Sequence, residues 1–286
     1  MAINLVTEYQ KKLAEHFSIG SKTDAYAGKA YEFSGVKEIK IYTIDDITLG
    51  TYNRNGDAST GGFRFGKITE VEDTVQTLSM AEEAAFTKSI DKANAGEQYN
   101  IKRATQVLQA ADRRVIRPTI DKARLAKWAA GNGLSTGNTI QTNATAAALT
   151  KTNIVEAIFN ASAALSDQMV PLDNRVMFIS ELDYVKFKLA DVVMGGAQLN
   201  ANAVRRGERG TIDNVTVVTV PSSYMPTNTG FIMKYKGATV DPIKLKTLRV
   251  QKEPLGINGD VLECYFQYDA FVLDAMCKGV YAYKTA

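Results

Sequence analysis

Histidine is almost absent from this 286-residue chain, cysteine is scarce and no long apolar run occurs. Each shortage removes a class of function. The single histidine, His16, lies in a polar N-terminal segment with no cysteine or acidic ligand spacing around it, which argues against histidine-dependent triads and zinc sites together. Cys264 and Cys277 sit in strand-like surroundings and read as reduced, buried thiols rather than a disulfide or metal ligands. No apolar stretch approaches the roughly 18 residues that span a bilayer. Met1–Gln10 also lacks the basic-then-apolar order of a secretory signal. A cytoplasmic setting without a membrane partner is therefore expected. No catalytic residue, metal or cofactor is assigned. A net charge of +3 is too small to argue alone for nucleic acid or an acidic membrane, so any electrostatic partner must be met locally. With 45% hydrophobic residues the chain can still bury a sizeable core.

What is present is organised around Asn100–Gly131. Ile101, Ala104, Leu108, Ala111 and Val115 recur in steps of three and four, one stripe of an α-helix. Asn100 can cap its start, and Gly131, Asn132 and Gly133 permit the turn at its end. Pro118 removes the N–H that would bond residue 114, so a kink is expected there. Such a helix spans roughly 45–50 Å. Lys102, Arg103, Arg113, Arg114, Arg117, Lys122, Arg124 and Lys127 face only Asp112 and Asp121. The helix is thus strongly basic and the remainder slightly acidic, which suits either a solvated face or a surface that meets phosphate or a neighbouring subunit.

Before this helix, Leu5, Val6, Tyr9, Leu13 and Phe17 have helical spacing. Ser21–Gly35 is too poor in aliphatic residues to form its own core and reads as an arm. Val36–Ile44 and Thr74–Met80 alternate as strands. Between them Gly50, Gly56, Gly61, Gly62 and Gly66 mark a loop far longer than a hairpin turn. Gly61–Lys67 has the glycine and lysine spacing of a phosphate-binding loop, but Ile68 stands where the magnesium-binding Ser or Thr belongs, and no strand-to-helix context surrounds it. It reads as a loop tip. Phe86–Asp91 alternates again as the strand that returns to the body.

After the helix, Gly131–Thr150 is a low-complexity connector. Residues 151–240 read as an α/β unit: a helix from Ile154, the apolar strand Arg175–Ile179, a helix Glu181–Met194, then strands Val215–Val220 and Phe231–Met233. Arg205, Arg206 and Arg209 cluster between them as a solvated loop or an anion contact. Ile243–Val250 and Val261–Phe271 form a hairpin suited to cover the long helix, and a last strand lies near Gly279–Tyr283.

This order resembles the major capsid proteins of tailed bacteriophages, the α+β Hong Kong 97-like fold. The local sequence is similar at Asp73–Leu78, Ile90–Asn94, Asp213–Val218 with Met225–Pro226, and Tyr268–Val272 with Lys278–Tyr281, so the resemblance runs end to end. It implies an N-terminal arm over 1–35, an extended loop over 36–93 and a peripheral domain with the spine helix over 94–150. An axial domain over 151–240 follows, and 241–286 supplies the peripheral hairpin and a final strand returning to the axial domain.

The implied function is structural: a homo-oligomer of pentamers and hexamers forming an icosahedral shell around double-stranded DNA, in the virion, after synthesis in a bacterial cytoplasm. Portal and scaffolding proteins are implied partners. Arg113, Arg114, Arg117 and Arg124 are the expected interior cations in non-specific contact with DNA. Arg54, Phe63, Arg64, Phe65 and Lys67 are the expected intersubunit contacts of the loop. An encapsulin-like nanocompartment shell is the alternative. A soluble α/β enzyme is more distant, since it calls for a glycine-rich strand-to-helix turn and a convergent acid–base set that the sequence lacks.

Overall fold

The computed structural model of the chain describes residues 20–31, 33, 37–45, 47–56, 62–65, 70–92, 104–190 and 211–286. The expected arm helix Leu5–Phe17, the Asn100 cap, Lys67 and the Arg205–Arg209 cluster lie outside these residues. Two compact units result: Phe33–Ser79, and a larger one built from the described residues on either side.

In the smaller unit, β1 (Glu38–Ile44) pairs antiparallel with β2 (Asp73–Ser79), placing Ile41 opposite Gln76 and Tyr42 opposite Val75. The period of two sorts these residues by face. Ile41, Gln76 and Leu78 are buried, whereas Tyr42, Ile44 and Val75 are exposed. Within the connecting loop, the Asn53 N–H donates to the Arg64 carbonyl at 3.0 Å and the Tyr52 and Phe65 rings meet edge-on at 5.1 Å. Gly56 turns this loop with φ +73°, and a Cβ there would lie 2.9 Å from the Gly62 carbonyl, so only glycine fits without strain.

The larger unit contains β3 (Glu82–Asp91), α1 (Ala104–Ala111), α2 (Arg117–Ala130), β4 (Gln141–Thr142), α3 (Ile154–Asp167), β5 (Arg175–Ser180) and α4 (Glu181–Lys188). It continues with β6 (Thr211–Ile212), β7 (Val215–Val220), β8 (Thr229–Tyr235), β9 (Thr239–Val240), β10 (Ile243–Lys252), β11 (Gly259–Tyr268), β12 (Phe271–Val272) and β13 (Val280–Lys284). One sheet has the order β4-β13-β8-β5-β7-β6 and is covered on both faces. Alternation explains how. Met177, Ile179, Phe231, Met233, Tyr281 and Tyr283 point toward α3 and α4, while Val176, Phe178, Ile232, Val280 and Ala282 point toward α2. Each fully buried side chain of this kind contributes about 1.5–3 kcal/mol. Arg175 is 1% exposed and donates to the carbonyls of Ser162, Val170 and Pro171, satisfying acceptors around the end of α3.

A second sheet, β10-β11-β3, lies on the opposite side of α2. Ile120 packs there against Cys264, Phe266 and Tyr268, with Ala84, Phe86 and Ile116 at the margin, while Leu125 and Trp128 face the first sheet. The basic helix is therefore sandwiched between sheets. β3, expected as the return strand of the loop, pairs with β11 and begins at Glu82. The helix expected over Glu181–Met194 ends at Lys188 within the described residues.

The helical ladder is irregular before Pro118 rather than at it. Asp112–Ile116 forms a π-helical turn joining α1 to α2, and Pro118 sits in the first turn of α2. Widening the turn accommodates the N–H that proline lacks. It also changes the phase of the apolar stripe. Val115, expected on the buried face, is 60% exposed, and Ile116 takes its place against the second sheet.

Candidate assembly surfaces

A short segment, Ser21–Gly28, is strapped to the larger unit by two buried carboxylates. Asp121 on α2 accepts hydrogen bonds from Ser21 Oγ at 2.7 Å, the Lys22 N–H at 2.8 Å and Thr23 Oγ1 at 2.6 Å. Arg124, one turn further, donates to Thr23 Oγ1 at 3.0 Å and pairs with Asp24 at 2.5 Å. Burial raises the Asp24 pKa, but the Arg124 hydrogen bond and charge outweigh it and hold the carboxyl below its ordinary value. Asp241 secures the other end, accepting the Gly28 N–H at 2.8 Å and returning its own N–H to the Gly28 carbonyl at 3.0 Å. A Cβ on Gly28 would fall 1.6 Å from the Thr239 carbonyl, so the close approach requires glycine.

Asp241 also accepts from Trp128 Nε1 at 2.7 Å and from Thr239 Oγ1 at 3.0 Å. Lys234 completes the cluster. Its Nζ donates to Thr239 Oγ1 at 2.6 Å, lies 3.5 Å from the centre of the Trp128 ring and stands 3.8 Å from Asp241. The side chain is fully buried, and that burial lowers its pKa to about 8 despite the opposing pull of Asp241. Asp269 forms a comparable junction, accepting from Lys127 Nζ, Asn132 Nδ2 and the Ala81 N–H. In sequence Asp121 reads only as a counter-charge within the basic helix, and Asp241 and Asp269 carry no assigned role. Asp269 does fall inside the Tyr268–Val272 stretch that carries the resemblance, which is the one signal that could have found it.

The expected DNA-facing arginines do not share one environment. Arg113 is exposed and Arg114 half-buried. Arg117 is exposed but paired with Asp112 at 2.8 Å. Arg124 departs from the expectation: it is 3% exposed and committed to the strap, because Thr23 and Asp24 cover it from far away in sequence. Between these groups, Ser21, Asp24, Asp112, Ile116, Arg117, Ile120, Ile243 and Phe266 line a cavity of about 330 Å³. Its two carboxylates each already face an arginine.

On the smaller unit the expected contact residues Arg54, Phe63, Arg64 and Phe65 are all exposed, Phe65 at 88%. Lys67 lies outside the described residues. Asp45, Glu70, Glu72 and Asp73 are exposed around the point where the strands separate, with the Asp45 N–H donating to the Glu72 carbonyl at 3.1 Å. Among the described residues none of these four carboxylates has an ion pair. No described helix is long and apolar enough to cross a membrane.

No protein-family model matches the chain, and no curated protein matches it. Solved structures do. A chain from Mycobacterium phage Che8 superposes with a TM-score of 0.70 at 16% identity, covering 98% of this chain and 97% of that one. The capsid structure of cyanophage P-SCSP1u gives 0.70 at 12% identity over 98% and 93%. The mature capsid of bacteriophage PhiM1 gives 0.69 at 12% over 99% and 92%. The chain has the α+β fold of these phage structures, the latter two of them capsids, across nearly its whole length.

Proposed function

We propose that this chain is the major capsid protein of a tailed bacteriophage, self-assembling into pentamers and hexamers that close an icosahedral shell around packaged double-stranded DNA. The observation that carries the reading is the end-to-end match to phage capsid chains, which leaves almost no part of either chain unaccounted for. The role is structural, exerted in the virion after synthesis in the bacterial cytoplasm. Portal and scaffolding proteins are its further partners.

The domain assignment follows the same reading. The strap at Ser21–Gly28 belongs to an arm over 1–35, and most of the smaller unit to an extended loop over 36–93. The sandwiched helix and the hairpin 243–271 form a peripheral domain, and residues 151–240, rejoined by β13, form the axial domain. Exposed aromatic and arginine side chains at the loop, Phe63, Phe65, Arg54 and Arg64, are intersubunit contacts that gain burial only on assembly. Arg113 and Arg114, with Arg117 beside its own carboxylate, supply non-specific phosphate contact.

Electron microscopy of the purified protein, with and without nuclease treatment, tests this. Closed shells or capsomer rings, and nuclease-protected DNA in particles from infected cells, are expected. Shells enclosing protein cargo instead would move the assignment to the encapsulin-like nanocompartment. A permanent monomer under all assembly conditions would overturn the shell reading.

A further inference from the structure

Three asparagines in this chain are followed directly by glycine: Asn55, Asn132 and Asn258. Asparagine is a thermolabile residue, most of all in this pair, because a following residue without a Cβ lets its backbone nitrogen reach the asparagine side-chain carbonyl. Their surroundings differ. Asn132 is held by four hydrogen bonds: Nδ2 donates to Asp269 at 3.3 Å and to the Ala270 carbonyl at 2.8 Å, its N–H donates to the Lys127 carbonyl at 3.0 Å, and its carbonyl accepts the Val272 N–H at 2.8 Å. Asn258 has an exposed side chain, but its carbonyl accepts the Lys92 N–H at 2.8 Å, and the next residue, Gly259, is buried at the start of β11. A Cβ on Gly259 would fall 2.0 Å from the Ile90 carbonyl. Backbone wedged that closely against β3 cannot swing its nitrogen toward a side chain.

Asn55 is constrained in neither way. It is exposed in the turn Asn53–Gly56 of the smaller unit, and its side chain makes no hydrogen bond among the described residues. The Gly56 N–H closes the turn only through a 3.2 Å bond to the Asn53 carbonyl, and an exposed turn of this kind opens locally at little cost.

We propose that Asn55 is a self-modification site, where the Gly56 backbone nitrogen converts the side-chain amide first to a succinimide and then to a carboxylate. The new bond joins the Gly56 nitrogen to Asn55 Cγ, and the Cγ–Nδ2 bond breaks. The Gly56 amide proton leaves with the departing group as ammonia. Water then opens the ring: attack at Cγ gives aspartate, and attack at the Asn55 main-chain carbonyl gives isoaspartate, whose backbone runs through Cγ. Water is the only co-reactant, and nothing is oxidised or reduced. Either product places an anion next to Arg54 in the chain, and isoaspartate also lengthens the backbone of the turn, beside the contact of the Asn53 N–H with the Arg64 carbonyl. The site goes beyond the shell-subunit reading and does not depend on it.

Peptide mass spectrometry of the full chain, held warm in mildly alkaline buffer, tests this through the replacement of NH by O at each asparagine. Asn55 should lose its amide at least about tenfold faster than Asn132 or Asn258, a factor equivalent to about 1.4 kcal/mol between the barriers, and isoaspartate should appear at that position. In urea the three rates should converge, since each then belongs to the same dipeptide in an open chain. Asn55→Gln should remove both the fast event and the accompanying acidic species in ion exchange. A folded chain in which Asn132 or Asn258 reacts as fast as Asn55, or three rates that stay equally far apart in urea, overturns the assignment.

Discussion

Lys127 on α2 and Asp269 at the end of β11 form a 2.6 Å ion pair in which the carboxylate side chain is 1% exposed and the ammonium 18%. The same carboxylate accepts the Ala81 N–H at 2.9 Å, so one buried anion ties the spine helix, the hairpin and the approach to β3 together. Removing it takes from Lys127 its shorter ion pair, leaving Glu82 at 3.1 Å, and leaves the Ala81 N–H without its acceptor. Asp269→Ala is expected to lower stability by about 1–3 kcal/mol, read as a reduced midpoint in urea unfolding. Lys127→Met should cost less, because Asp269 keeps its amide donors.

The strap should open independently of the core. Asp121→Ala removes the acceptor shared by Ser21, Lys22 and Thr23, while Leu125 and Trp128 keep their packing on the first sheet. Limited proteolysis is expected to cut Ser21–Ala27 rapidly in this variant, with β5 and β8 amides still slow in hydrogen exchange. Acid should act in the same direction. Because the folded Asp24 pKa is lowered, its contribution is present above the unfolded carboxylate value and is lost as pH falls through the folded one. Strap exchange should therefore accelerate below the ordinary carboxylate range, and Asp24→Asn should abolish that acceleration.

Lys234 gives a dependence of the same sense in an alkaline window. Its pKa falls from 10.5 to about 8 on folding, so between those values the unfolded chain holds a proton that the folded chain has released. Stability from this group then rises with pH across that window, by on the order of 3 kcal/mol. The measurable quantity is the difference between the wild type and Lys234→Met, in which the contributions of all other groups cancel. The wild type should gain on the variant between pH 8 and pH 10.5. A constant difference across that range would contradict the burial of a charged amine.

The π-helical turn separates neighbours that sequence periodicity treats alike. Val115 is 60% exposed, so Val115→Lys should change stability by no more than about 0.5 kcal/mol. Ile120 is 6% exposed against Phe266 and Tyr268, and Ile120→Ala should cost about 2–4 kcal/mol. Thermal melting distinguishes these outcomes readily.

Much of this architecture was legible in sequence because it rests on local periods. The two-residue alternation of Val215–Val220, the apolar run at Arg175–Ile179 and the hairpin over 243–271 each announce a strand, and Gly131 marks the end of α2 with the left-handed φ it adopts. The phase of the spine helix was not legible, since the π turn is inserted by Pro118 acting through its neighbours and has no pattern of its own. Nor were the anchoring carboxylates. Asp121 meets Ser21 across 100 positions and Asp241 meets Gly28 across 213, separations at which a lone aspartate in sequence gives no sign of its partners. For the same reason Arg124 reads as a surface cation in a basic helix and proves to be buried.

Light-scattering mass of the purified full chain, followed over a concentration series with imaging of the same fractions, tests the shell assignment most directly. The subunit is 31.2 kDa. Particles at pentameric or hexameric multiples of that mass, or megadalton shells, are the expected result. A single 31.2 kDa species at every concentration, even with a scaffolding protein supplied, would contradict it.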